Sequence, residues 1–568
     1  PHLPPHPEHT PARPDAVQAL EHEARLAAAK GAHDIAQIYQ DIAARSGPGI
    51  PEHQRLVAID DDGLKQLLLH GSQADSIAAV YEVVRRVEHK GLRWTQMSAV
   101  QAMSRGDVVN MAAGEGKSLV FLAYAARRAV MDGVDAVQVI TTRDNLATRE
   151  HERYSDVLKA MDINIVRMTP DGGGTRPDND HPTIYVGTHE DVGFSYLRGK
   201  PIPGRHASVD EVDEAFVYAN TTFILSEGAQ KAAPDTVAKR VTDAWDFLDR
   251  NLGLGRLSPL DFGHDPDRPG GPPPALTAEG KTRVRDLLDR ELTAGEQQAL
   301  DMAATARWEY VENKHYVIHD DKVYIIDQTT HKVMFDPKTS TESRWNGGLA
   351  QAVEAKHGLA IRDDPSTANS VDAKTIYTKE NYDTVVGASG TANGKSELFA
   401  KQGLSPDIAD IPRYHESQLA VADDKVLPDT GQKLQSIAED AIAMQEGTGQ
   451  PQLILAHENN LVAELSRLLT DRGSDHVAID AKWFLEKGVE AEAEFQRLVD
   501  AGGLPGKITV INMQGARGVD VPISKEAKTL GGLHVRVTAR STVSRDLDIQ
   551  AENRAARNGE HGSVQYYL

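Results

Sequence analysis

The stretch Val108-Val109-Asn110-Met111-Ala112-Ala113-Gly114-Glu115-Gly116-Lys117-Ser118 decides how the rest of the chain is read. Val108–Met111 is a short β-rich run, and Leu119–Val130 continues as a helical one. Between them lies a glycine-rich turn from strand to helix. Such a turn lets backbone N–H groups converge on one spot, and the helix N-terminus adds positive potential there. A lysine and a serine at its end are the residues that reach β/γ-phosphates and ligate Mg²⁺. The pattern G-x-x-x-x-G-K-[ST] is met only in its shorter form, because Met111 stands at the first glycine position. A glycine-rich turn with a surface lysine is the competing reading of these residues alone.

Outward from this turn the same rhythm continues. Ala136–Ile140, Thr183–Val186 and Ala207–Asp210 are β-rich runs alternating with helical stretches, the mark of a parallel α/β sheet. A second set, Gln452–Ala456, Val477–Ile479, Ile508–Ile511 and Leu533–Val537, follows after about residue 397. Residues 229–335 break the rhythm. They hold the Gly/Pro-rich segment Gly263–Pro273, a helical stretch, and paired strands Tyr316–Ile318 and Lys322–Ile326 about the turn His319-Asp320-Asp321. Toward the N-terminus, Ala16–Ala29 and Ile77–Glu88 have helical apolar spacing, preceded by a Pro- and His-rich leader that reads as disordered. The expected organisation is a leader over 1–15, a helical lead-in over 16–90, a first α/β lobe over 91–228 and 336–396, an insert over 229–335, and a second lobe over 397–568.

Composition narrows the chemistry. The 568 residues include no cysteine, which excludes disulfides, Cys-ligated zinc, Fe–S clusters and thiol nucleophiles. With 62 Lys+Arg against 84 Asp+Glu the net charge is −22, which argues against bulk-charge gripping of nucleic acid. No run of apolar residues is long enough to span a bilayer. The first residues, Pro1-His2-Leu3-Pro4, lack both a signal-peptide pattern and an initiator Met, so a piece of a longer polypeptide is expected.

Two further groups carry chemistry. Asp210-Glu211-Val212-Asp213 follows the strand-like Ala207–Val209. Adjacent carboxylates at a strand's C-terminal edge suit a metal ligand (Asp210) beside a water-polarising base (Glu211); a solvated acidic helix start is the alternative. In Gln550–Gly559, QAENRAARNG, Arg554 and Arg557 would face the same way on a helix and supply cations to a phosphate between two lobes, unless they are simply exposed. His206 and His315 have no neighbours at ligand spacing, and Trp345 reads as packing.

Taken together, Gln96 with Met111–Ser118, Arg143-Asp-Asn-Leu-Ala-Thr-Arg149, Tyr185–Thr188 with Gly193–Arg198, and DEVD at 210–213 resemble the SecA preprotein translocase ATPases. So do His315–Asp327 and Arg344–Lys356, which are similar to that family's preprotein-crosslinking domain and the return from it. Gly387-Ala-Ser-Gly-Thr-Ala392, containing Ser389, resembles its interlobe coupling motif, and Gly531-Gly-Leu-His534 and Gly562-Ser563…Tyr567-Leu568 follow in order. The resemblance covers about residues 75–568. It implies two RecA-like lobes with an α+β preprotein-crosslinking-like insertion in the first, and ATP/ADP with Mg²⁺ as cofactors. It further implies that Gln96 reads adenine, that Gly114, Glu115, Gly116 and Lys117 hold phosphate, and that Ser118 and Asp210 hold the metal. Glu211 would activate water, Asp520 would contact ribose with Arg517 beside it, and Arg554 and Arg557 match the family's paired arginines.

The chain also departs from the family. One residue is gained near Ala516; the first arginine of the paired-arginine segment is Glu552, and two glycines are Asn553 and Ala556; Tyr218–Phe223 has lost its charges. The sequence stops at Leu568, where the family's helical scaffold and wing would begin. The resemblance implies an unfolded polypeptide or protein partner, at a cytoplasmic or peripheral-membrane location. The alternatives are a nucleotide-gated interaction module with feeble turnover, exported as part of a larger protein, and a nucleic-acid helicase.

Overall fold

The computed structural model describes the chain except residues 1–13, 47–48, 52–53, 57, 132–133, 135, 143, 170–175, 177–178, 214, 217–221, 227–236, 267–271, 327–332, 337–340, 346, 363–366, 514–519 and 542–543. Most of the expected leader lies outside the described residues, as do Arg517, Arg143 and most of the charge-poor stretch after DEVD.

The fold is α/β, built on two parallel sheets. The first has seven strands in the order Ile408–Ile411, Val108–Met111, Thr384–Ser389, His206–Asp210, Ala136–Thr141, Thr183–Thr188, Asn164–Arg167. Every neighbouring pair is parallel. Ala136–Thr141 and Thr183–Thr188 are buried along their whole length, as strands covered by helices on both faces must be. The helix Lys117–Met131 packs beneath, sending Phe121 and Tyr124 into the main core. The helical lead-in joins that same core through Leu20, Tyr39, Leu64 and Val80, so it is part of the first lobe's hydrophobic body.

The second sheet has six strands, ordered Gln418–Val421, His561–Tyr566, Leu533–Val537, Gln452–Ala456, Ile508–Asn512, Val477–Ile479, again all parallel. The expected boundary at 396/397 therefore moves: Ile408–Ile411, assigned by sequence to the second lobe, pairs with Val108–Met111 as the edge of the first sheet. Pro412 ends it because proline cannot extend the ladder. The crossing between sheets is thus the short segment from Pro412 to Ser417, and the second sheet begins at Gln418.

The insert is larger than its expected end at 335. Leu349–Lys356, placed by sequence back in the first lobe, packs on helices Val237–Gly253 and Ala294–Trp308, burying Leu349 and Val353 with Val241, Leu248 and Leu300. Glu354 is buried there between Arg344 (2.5 Å) and Arg362 (3.0 Å), which neutralise a carboxylate that burial would otherwise disfavour. The chain leaves and re-enters the first lobe through antiparallel strands Thr222–Ser226 and Thr367–Asp372. At its other end the hairpin Tyr316–His319/Lys322–Ile325 meets the second lobe: Val317, Tyr324 and Ile326 pack with Ala481 and Leu485, and Lys314 pairs with Glu458 at 3.1 Å.

Candidate nucleotide site between the lobes

The glycine-rich turn sits at the C-terminal end of strand Val108–Met111, where parallel α/β sheets place their ligands. Gly114 and Gly116 both have left-handed backbones, φ 84° and 85°. A Cβ on Gly116 would come 2.5 Å from Gln96 Nε2, and one on Gly114 would come 3.1 Å from the Arg557 Cβ. Glycine is thus required twice, once by close approach from each side. Ser118 is the second residue of the helix that follows, at the positive end of its dipole.

Lys117 is largely buried, with Nζ 3.2 Å from Glu211 Oε1. Burial pushes the ammonium down, but Glu211 and then Asp210 outweigh it and hold Lys117 above its ordinary range. Burial pushes the Asp210 carboxyl up to about 7; Lys117 opposes this and Glu211 adds to it. Asp210 Oδ1 accepts the Glu211 backbone N–H at 3.0 Å. Glu211 itself has φ 49°, a left-handed conformation that costs a non-glycine residue roughly 1–2 kcal/mol. Its carboxylate also accepts from Ser389 Oγ at 3.1 Å.

The second lobe contributes Arg557, whose side chain lies along Gly114 and whose charge is felt at Lys117. It donates to Asp520 at 2.5 Å and to the Asn553 carbonyl at 2.8 Å. Here the expectation of two arginines on one helix fails. The helix ends at Glu552, and Ala556 and Asn558 are left-handed at φ 54° each, so Arg557 sits on a separate turn. Arg554 is buried instead beside a small cavity of about 10 Å³ lined by Leu455, Met513, Leu547, Gln550 and Ala551. Glu552, standing where the first arginine was expected, accepts from Arg545 (2.8 Å) and the Tyr566 hydroxyl (3.1 Å).

Of the two remaining predicted residues beside the turn, Gln96 and Glu115, the side chain of Glu115 is placed differently from expectation. Gln96 is buried, with Oε1 accepting from Arg93 N (2.9 Å) and Nε2 donating to the Glu115 carbonyl (2.9 Å); one N–H and one lone pair of the amide are still uncommitted by these bonds. The Glu115 carboxylate points inward rather than into the phosphate cradle, accepting the Tyr414 backbone N–H at 3.1 Å. Sequence reasoning missed the contacts that cross between lobes. Thr391 Oγ1 donates to Asp213 (2.6 Å) and accepts from Gln550 (3.2 Å). Lys395 Nζ lies 2.7 Å from Asp546, donates to the Thr391 carbonyl and lies 4.0 Å from Asp213. Thr391, Asp213 and Gln550 lie in segments with a sequence signal, whereas Lys395 and Asp546 belong to none of the motifs.

The donor set suits a magnesium-bound triphosphate. Two largely buried carboxylates face one ammonium, a balance that a divalent cation would correct, and Ser118 and Asp210 offer the hard oxygens it prefers. The two left-handed glycines leave room for phosphate oxygens where side chains would intrude.

Residues 52–400 match the SecA DEAD-like domain profile. The chain belongs to the SecA DEAD-like family. Among curated relatives, a protein translocase subunit SecA 2 from Mycobacterium sp. (strain KMS) is 28% identical over 502 residues, 83% of this chain and 60% of that one. A protein translocase subunit SecA from Helicobacter hepaticus is 27% identical over 526 residues, 89% of this chain and 57% of that one. The chain therefore spans under two thirds of the length of these relatives. Among solved structures, S. cerevisiae Dbp5 bound to RNA and ADP BeF3 aligns with a TM-score of 0.40 and 12% identity, covering 84% of this chain and 88% of that one. No described helix is long and apolar enough to cross a membrane.

Proposed function

We propose that the chain is an ATP-hydrolysing motor core that binds MgATP between its two lobes and acts on polypeptide. The observation that carries this reading is the convergence of Lys117 and Glu211 from the first lobe with Arg557 from the second around Gly114. Bound MgATP would supply the transferable phosphoryl group and a cation for Ser118 and Asp210 to hold. Lys117 neutralises the terminal phosphates, and Glu211, once phosphate competes for the ammonium, accepts a proton from water. The uncommitted N–H and lone pair of Gln96 match an adenine edge. Asp520 meets the ribose; Arg557 brings positive charge across the cleft, with Arg554 behind it.

The polypeptide substrate is supported by the family and by the net charge of −22, which disfavours a phosphate backbone as the track. The location that goes with it is cytoplasmic or peripheral to a membrane. A second reading, a nucleotide-gated interaction module with feeble hydrolysis, is favoured by the second lobe's cations: Arg557 is paired to Asp520, Arg554 is buried aside, and Glu552 replaces a third. ATP binding and hydrolysis by the chain, Lys117→Ala and Glu211→Gln separate the readings. Equal hydrolysis in all three removes the motor; tight binding with negligible turnover, unmoved by unfolded polypeptide, selects the module. Salt-sensitive binding of single-stranded RNA or DNA would instead favour a helicase.

A further inference from the structure

We propose that Glu115 is a positioning residue that wires the phosphate loop to the arginine turn of the second lobe through the linker residues Arg413, Tyr414 and His415. The proposal rests on the nucleotide-binding reading above but concerns a contact that faces away from the phosphate cradle. Glu115 is held from two sides. Its carbonyl accepts from Gln96 at 2.9 Å, and its buried carboxylate accepts the Tyr414 N–H at 3.1 Å with the Arg93 guanidinium 3.9 Å away. Tyr414 is fixed further by its own side chain. Its hydroxyl donates to Glu23 at 2.6 Å, its ring lies under Arg93 at 4.7 Å, and Glu23 in turn accepts the Trp94 N–H at 2.8 Å. Neighbouring linker residues reach the other lobe. Arg413 donates to Asn553 Oδ1 at 2.6 Å, and His415 packs so closely on Gly559 that a Cβ there would come 2.7 Å from its own Cβ.

Asn553 and Gly559 bracket the turn that carries Arg557. A buried charged acceptor on a backbone N–H is a strong and directional tie, and alternate linker residues point to opposite lobes. A shift of the glycine turn on phosphate binding therefore moves Tyr414, and with it the segment that presents Arg557. Conversely, the position of the second lobe sets the shape of the phosphate loop. Glu115 acts without touching nucleotide.

Hydrogen exchange on the whole chain, with and without MgADP, tests this from both ends. Glu115→Ala is expected to speed exchange about tenfold not only at Tyr414 but at residues 553–559, and Glu115→Gln, which keeps an acceptor oxygen, to restore it. Arg413→Gln, which leaves Glu115 untouched, is expected to speed exchange at residues 112–116. If Glu115→Ala alters only residues 93–96 and 414, or Arg413→Gln leaves the glycine turn unchanged, the relay is overturned. Should Glu115→Ala not fold, the Arg413→Gln arm decides alone. Failure of the wild-type chain to bind MgADP would refute the nucleotide reading, while the exchange comparison without nucleotide still tests the relay.

Discussion

Removing the ion pair between Lys395 and Asp546 is expected to loosen the two lobes by about 2 kcal/mol, a figure discounted from the cost of breaking a buried pair. At 2.7 Å and an effective dielectric of about 20, the gross Coulomb attraction is about 6 kcal/mol. Most of it offsets desolvation, and breaking a fully buried pair by deleting one partner costs about 3–5 kcal/mol. Asp546 keeps 24% of its side chain exposed against 7% for Lys395, so solvent recovers part of that cost. The two single changes should differ. Asp546→Asn leaves Lys395 with the Thr391 carbonyl and Asp213, whereas Lys395→Met deprives both Asp213 and Asp546 of their cation and is the more damaging. The double variant should cost little more than Lys395→Met alone. Because the chain has no cysteine, thiols introduced by Glu152→Cys and Ala463→Cys, one exposed position per lobe, can carry a donor and acceptor dye without background. The loss of energy transfer in urea, compared with far-ultraviolet circular dichroism, separates lobe parting from unfolding. Additive single effects, or energy transfer in Lys395→Met indistinguishable from the parent, would refute the reasoning.

Three further outcomes follow from geometry. His534 is buried with Nδ1 2.7 Å from Ser563, and burial, then Arg536, push its imidazole down to about 3. Its neutral-state contribution is thus complete above about pH 6.5 and lost as pH falls toward 3, about 2 kcal/mol by pH 5; urea midpoints should fall accordingly, and less in His534→Asn. Gly116→Ala should weaken MgADP binding about tenfold, from the strain of a left-handed alanine, in a chain that still folds by circular dichroism. Leu485→Ala should cost about 2 kcal/mol at the apolar contact between insert and second lobe, seen as faster exchange in the hairpin 316–325 with no change in the first sheet.

What is legible in the sequence is chemistry that depends on neighbours along the chain. The strand Val108–Met111 runs into the turn before Lys117 and His206–Asp210 runs into Glu211, so local pattern suffices to place these candidate residues. Ile408–Ile411 is not legible as a first-lobe strand, because its partner Val108–Met111 lies far back in the chain and only three-dimensional pairing assigns it. Leu349–Lys356 misleads for a similar reason: its apolar face is satisfied by Val241 and Leu300, across the insert. The arginine segment fails differently. The helical propensity of QAENRAARNG points to a helix through Arg557, but the Arg557–Asp520 pair and the closely packed backbone at Gly562 favour a turn, even with alanine at a left-handed position. Glu115 sits among candidate phosphate-binding neighbours, yet the direction of a side chain on such a turn is not written in its spacing.

The place where the chain crosses between sheets limits how the cleft can open. The linker leaves the first sheet on the strand adjacent to the one that feeds the phosphate loop, and residues 412–417 when fully extended reach only about 20 Å. The two sheets are therefore tethered at the phosphate-loop corner and cannot slide apart in parallel there. Separation has to take the form of a swing about that corner, like a cover about its spine. The largest travel falls to the opposite edge, where helix Ala491–Gly502 touches helix Asp144–Ala160, and the glycine-rich turn stays near the axis while the cleft widens.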